Sequence, residues 1–236
     1  MIVSVHIADV GLPRMFRALR QRPRPGSTPG LRYAETAVTA RQGGGGLPLY
    51  PGRFAMIAAW DDDGALDDFI RSAHPLAGSL VAGWHVRLQP LRVSGSWPAI
   101  PGLPDRQLPI EDDEPVVVLT LGRPRLTRLR PFLRSAGPAE AEVVAAPGLL
   151  ASLGLARPPR LVSTFSLWRS AAEMRDYSYR DAGMHMAAVR ADRERPFHHE
   201  SAFIRFRPYR SEGEWEGRDP LDFRTASSFL SAGPEI

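Results

Sequence analysis

Trp84-His85-Val86-Arg87-Leu88-Gln89-Pro90-Leu91-Arg92-Val93-Ser94-Gly95-Ser96-Trp97 lines up with Ala202-Phe203-Ile204-Arg205-Phe206-Arg207-Pro208-Tyr209-Arg210-Ser211-Glu212-Gly213-Glu214-Trp215, with Arg, Pro, Arg, Gly and Trp recurring in register. Upstream, Phe54-Ala55-Met56-Ile57-Ala58-Ala59-Trp60 matches Val162-Ser163-Thr164-Phe165-Ser166-Leu167-Trp168, and Leu66 and Phe69 match Met174 and Tyr177 at the same offset of 108. The later block is offset by 118, so the second copy holds ten extra residues between Tyr177 and Ala202. His185 lies among them.

Around this repeat, each half predicts the same order of elements. Ile2–Ala8 and Val116–Leu121 read as strands, followed by helices over Pro13–Arg22 and Pro124–Arg134, where an early proline is tolerated because its missing donor would be unpaired anyway. Leu31–Thr39 and Ala139–Ala146 read as second strands, and Phe54–Trp60 and Leu161–Trp168 as third strands. Helices then start at the N-caps Asp62 and Ser170. Final strands cover Trp84–Leu91 and Ser201–Tyr209. The order β-α-β-β-α-β is the ferredoxin-like unit, an antiparallel sheet with helices on one face. Two such units in tandem bury their bare faces against each other, which gives an α+β fold of two ferredoxin-like repeats packed sheet to sheet as a dimeric α+β barrel. The halves are residues 1–97 and 116–216, joined by a proline-rich linker at 98–115 and followed by a polar tail at 217–236. Gly43–Gly46 reads as a connector or lid, lacking the lysine of a phosphate loop.

Composition removes several chemistries. The 236 residues contain no cysteine, so disulfides, iron–sulfur clusters and thiolate-held metals are out, and any metal must be held by His or carboxylate. No lysine occurs, which removes Schiff-base catalysis. The positive charge is carried by arginines interleaved with acidic clusters such as Asp61-Asp62-Asp63, a pattern that argues against a nucleic-acid partner. No apolar run reaches membrane-spanning length, so the chain reads as cytoplasmic or membrane-peripheral. Motifs of serine hydrolases, zinc peptidases and dinucleotide-binding enzymes are missing.

The extra segment reads as a helix over Ala182–Arg193, with His185, Ala188, Val189 and Asp192 on one face. Ala188 keeps that face low, leaving clearance for a flat macrocycle bonded to the imidazole. The other histidines are weaker candidates. His198 and His199 are adjacent on a strand and point to opposite faces, while His85, beside Trp84, is placed to line the space between the sheets.

Phe165-Ser166-Leu167-Trp168-Arg169-Ser170, then Met174, Tyr177, Tyr179 and His185, then Ser201–Gly213, resembles the spheroidene monooxygenase family of carotenoid-oxidising bacterial enzymes. The resemblance is best over residues 160–216 and general in the first half. It implies a haem-dependent monooxygenase, an oxidoreductase that uses haem b and dioxygen, with an electron donor, to oxidise an apolar substrate. It also implies His185 as the iron ligand, with Ala188, Val189, Met174, Trp168 and Arg205 around the cofactor. Arg205 and its repeat counterpart Arg87 are the candidate partners of haem propionates; being kept in both halves, they are equally suited to a role in the shared fold. Trp168 likewise reads as core, and Met174 and Tyr177 as core or pocket wall. Two other readings remain: a haem enzyme of another type, such as an aldoxime dehydratase or peroxidase, and a haem-free barrel binding small ligands. A homo-oligomer is compatible with all three.

Overall fold

The structure is a computed structural model that describes residues 1–43, 48–128, 140–178 and 197–222. Eight antiparallel strands close into one barrel. They are β1 (Ile2–Asp9), β2 (Leu31–Ala40), β3 (Leu49–Trp60), β4 (Trp84–Gly95), β5 (Val116–Pro124), β6 (Leu149–Arg157), β7 (Leu161–Trp168) and β8 (His198–Glu212). Their order around the barrel is β1-β3-β2-β6-β7-β5-β8-β4, so each half contributes one ferredoxin-like sheet, as the repeat predicts. Helices α1 (Leu12–Arg20), α2 (Asp63–Arg71) and α3 (Ala77–Val81) belong to the first half and α4 (Ala171–Ser178) to the second.

Both faces of most strands are covered, which explains their nearly unbroken apolar runs. Val3, Val5 and Ile7 of β1 point into the barrel, where they meet Ile57, Leu119, Phe165, Ile204 and Phe206. The intervening outward positions of the first half pack with Met15, Leu66, Phe69 and Leu80 beneath α1, α2 and α3. Trp97 and Trp215, equivalent in the repeat, both fold back into the interior cluster, and Ile100 of the linker joins them. Trp84 stands between Phe165 and Trp215, at ring-centroid distances of 5.9 and 5.7 Å. Its indole N–H donates to Asp219 Oδ1 at 2.9 Å, which ties residues beyond Trp215 to the barrel.

The two sheets meet at two seams of unequal length. β4 and β8 pair from His85 opposite Glu212 to Gly95 opposite Ala202. Register shifts interrupt this ladder at Arg87/Leu88 and Pro90/Arg92, where the repeated prolines Pro208 and Pro90 withhold a ladder donor. At the other seam, β2 and β6 pair only at Val38–Ala156, Thr39–Leu155 and Ala40–Gly154.

Local signals explain most boundaries. Asp62 caps α2 by accepting the Ala65 N–H at 2.9 Å. Ser170 caps α4 reciprocally, accepting the Glu173 N–H at 3.1 Å and donating to Glu173 Oε2 at 3.0 Å. The strand expected at Ala139–Ala146 is displaced. Residues 140–144 are helical, as their Glu and Ala content favours, and the second strand of the half is β6, after the positive-φ turn at Gly148. The helix expected from Pro124 is also shifted, because Pro124 ends β5 and a 3-10 turn follows at Leu126–Arg128. The remainder of that expected helix, the expected helix Ala182–Arg193 and most of Gly43–Gly46 lie outside the described residues.

Candidate functional site

Strand pairing makes the two outward faces comparable position by position. Ile2 pairs with Trp60 in the first sheet and Val116 with Trp168 in the second, so Ser4, His6 and Ala8 correspond to Val118, Thr120 and Gly122. By the repeat, Phe54, Met56 and Ala58 correspond to Val162, Thr164 and Ser166, while His85 and Arg87 correspond to Phe203 and Arg205. The first face is packed solid, with Ser4, His6, Phe54, Met56 and Ala58 all fully buried. On the second face the histidine, methionine and phenylalanine become Thr120, Thr164 and Val162, and Val118, Thr120, Thr164, Phe203 and Arg205 are each partly exposed. Smaller side chains and partial exposure set this face apart from its counterpart in the first half.

One end of that face is covered. Trp168, Met174 and Tyr177 form a small core with Val116, and the Trp168 and Tyr177 rings stack at 5.2 Å. The Trp168 N–H donates to Ser166 Oγ at 3.0 Å.

The paired arginines have different surroundings. Arg87 is 1% exposed and is clamped by α2, its Nη1 donating to Asp63 Oδ1 at 2.8 Å and its Nη2 to Asp67 Oδ1 at 2.5 Å. At the offset of 108 the second half has Ala171 and Arg175 in place of those aspartates. Arg205 therefore keeps its position on the strand without the acids that give Arg87 its structural role, while Arg175 turns to Asp112.

A concavity opens at the short seam. Where β2 runs on past its three pairs with β6, the sheets part and leave a cleft of about 780 Å³. Its mouth carries Arg22, Arg32, Arg123, Arg125 and Arg160, and its lining includes Tyr33, Trp97 and His199. Glu35, 5% exposed, is the acid at its edge and is shared by Arg22 at 3.4 Å, Arg157 at 3.6 Å and Arg160 at 3.8 Å. Burial, and then the Glu35 charge, push the Tyr33 phenol up to about 12.

Two curated relatives match most of the chain. A spheroidene monooxygenase of Rubrivivax gelatinosus is 32% identical over 201 residues, covering 80% of this chain and 73% of the relative. The chain belongs to the spheroidene monooxygenase family. A second member, from Rhodobacter capsulatus, is 31% identical over 178 residues, covering 71% of each. Membership in a family of monooxygenases makes the protein an oxidoreductase. No family model matches the chain. Among solved structures, an aldoxime dehydratase in complex with butyraldoxime shares 9% identity at a TM-score of 0.49, covering 88% of this chain and 79% of that one; so distant a likeness carries no argument about chemistry.

For this member of the spheroidene monooxygenase family, the expected site residues divide into two groups. Trp168, Met174 and Arg205 border the second sheet's outward face, whereas His185, Ala188 and Val189 lie outside the described residues. The placement expected for His85 is corrected. Trp84 takes the inward phase of β4, so His85 faces outward and stacks on His6 at 4.9 Å. Burial first, then the charges of His85 and Arg87, hold His6 well below the usual imidazole value. The seam cleft carries no local signal in the chain: its walls come from β2, the ends of β5 and β8, the β6–β7 turn and the linker. Among the described residues, no helix is long and apolar enough to cross a membrane.

Proposed function

We propose that the protein is a haem-dependent monooxygenase that oxidises an apolar substrate of the spheroidene class. The observation that carries this reading is the contrast between the two outward faces, where Thr120, Thr164 and Val162 replace the fully buried His6, Met56 and Phe54 of the first sheet. A flat, largely apolar macrocycle suits a face of that kind. A suitable donor is also present, since imidazole is a common axial ligand of haem iron and the ten-residue insertion adds His185 to the half with the smaller, more exposed outward face.

In this reading His185 would hold the iron, Ala188 and Val189 would add small side chains near it in sequence, and Arg205 would supply positive charge for a propionate. When bound, haem supplies the iron centre that takes up and activates dioxygen. The chain's own residues do the rest. Trp168, Met174 and Tyr177 form an apolar wall that keeps water from one side, while Val118 and Phe203 offer apolar contact to a substrate.

Reconstitution with haemin tests the proposal. A Soret band that saturates at one haem per chain is expected, and it should be lost in His185→Ala while the far-ultraviolet spectrum is unchanged. A protein that stays colourless, or a His185→Ala variant with an unaltered band, would overturn it.

A further inference from the structure

The cleft at the short seam has a chemistry distinct from that of the second sheet's outward face. We propose that it binds an organic anion with a flat apolar body, the anionic group held by Arg123 and Arg160 and the body laid against Tyr33 and Trp97.

Charge is the first reason. Around Glu35 three guanidinium groups share one carboxylate, none closer than 3.4 Å, so this cluster alone carries an excess of two positive charges. Arg32 is matched by Asp61 at 2.6 Å and Arg123 by Glu200 at 3.5 Å, while Arg125 donates to the His198 carbonyl and has no acidic partner among the described residues. The crowding shows in Arg157, where burial and then the neighbouring Arg160 and Arg22 lower the guanidinium's pKa against the pull of Glu35. An anion in the cleft relieves that repulsion.

Donor availability is the second reason. The Arg160 side chain makes no hydrogen bond among the described residues, and its carboxylate neighbour is 3.8 Å away. Arg123 reaches Glu200 only at 3.5 Å and lies over the Trp97 ring at 5.6 Å. Both forks can turn to a carboxylate or phosphate in the charge-assisted geometry that guanidinium favours.

Shape is the third reason. At about 780 Å³ the cleft lies in the range of small-molecule sites. Part of its lining is aromatic and apolar, with Trp97 3% exposed and Tyr33 9% exposed as part of the barrel core, together with Ala34, Ala99, Pro124 and Pro159. A free inorganic ion would leave that surface uncovered, whereas a flat organic body would bury it.

Calorimetric titration with 2-naphthoate, 2-naphthyl phosphate and the neutral naphthalene-2-carboxamide tests the proposal. At least one anion should bind saturably, with the carboxamide at least about tenfold weaker, since a charge-assisted pair contributes roughly 1.5–3 kcal/mol. Arg160→Gln and Arg123→Gln should each weaken the anion by about tenfold or more without changing the melting temperature appreciably, and whichever anion binds tighter assigns the head group. Equal affinity for the carboxamide, unaltered binding in both variants, or no saturable binding of either anion below about 1 mM would overturn the assignment. The titration needs no haem, so its outcome is independent of the function proposed above.

Discussion

Replacing Arg87 and Arg205 separately by methionine should have different effects, although the two arginines occupy the same place in the repeat. Arg87 is 1% exposed and makes two short charge-assisted hydrogen bonds to α2, with Glu212 a third acid at 3.7 Å. Breaking a buried ion pair typically costs 3–5 kcal/mol. Here Asp63 and Asp67 are 49% and 39% exposed at the side chain and can rehydrate, and methionine keeps much of the packing, so the lower end applies, about 3 kcal/mol. For a chain of this size that is a fall of roughly 6–12 °C in the melting temperature. At Arg205, Ala171 and Arg175 stand where the two aspartates would be, and the residue is partly exposed, so Arg205→Met should destabilise less than Arg87→Met. The effect of Arg205→Met should be on haem affinity, through loss of a propionate partner. Urea unfolding of the two variants, with haemin titration of each, measures both quantities. Equal destabilisation by the two substitutions would refute the division of labour.

Acid should weaken the first half. His6 and His85 are held below the ordinary 6.5 in the folded protein, chiefly by burial, so folding binds fewer protons than the unfolded chain does. Stability is full above pH 6.5 and declines as the pH falls through that value toward the folded pKa. Urea midpoints should therefore drop between pH 7.5 and 5.5, and a midpoint that is flat over that window would contradict the assignment. Enlarging a side chain on the second face is the complementary test. Thr164→Met installs the residue that Met56 provides in the first sheet, and should leave the fold intact while lowering haem affinity at least about tenfold, read from the Soret titration. Unchanged affinity would show that Thr164 does not floor the cofactor site.

Much of the fold was legible because the chain states it twice. Repetition of Arg, Pro, Arg, Gly and Trp aligns β4 with β8, and the matched runs Phe54–Trp60 and Val162–Trp168, with Asp62 and Ser170 as caps, fix the third strand and following helix of each half. Reading failed where a segment's composition suits two states. Val143 and Val144 suggest a strand, but their Glu and Ala neighbours form a helix, and Leu-Leu-Ala-Ser-Leu-Gly-Leu-Ala has no clean alternation to announce β6. His85 was misplaced by one step of strand phase, which only the inward packing of Trp84 decides. The insertion that brings His185 could be found by alignment alone. The contrast between Thr164 and Met56 was equally present in the aligned copies, but its meaning needed the two faces and their exposure. For the cleft there was nothing to read, because nothing local records that β2 and β6 part company after three pairs.

Joining the two units in one chain has a consequence for symmetry. In a dimer of identical ferredoxin-like units the two seams are related by a twofold axis, so any substitution that loosens one loosens the other. Covalent tandem copies remove that constraint. Here the β4–β8 edge has become a long hinge-like spine and the β2–β6 edge a narrow clasp, so the barrel can be firm along one side while the other is free to evolve an opening.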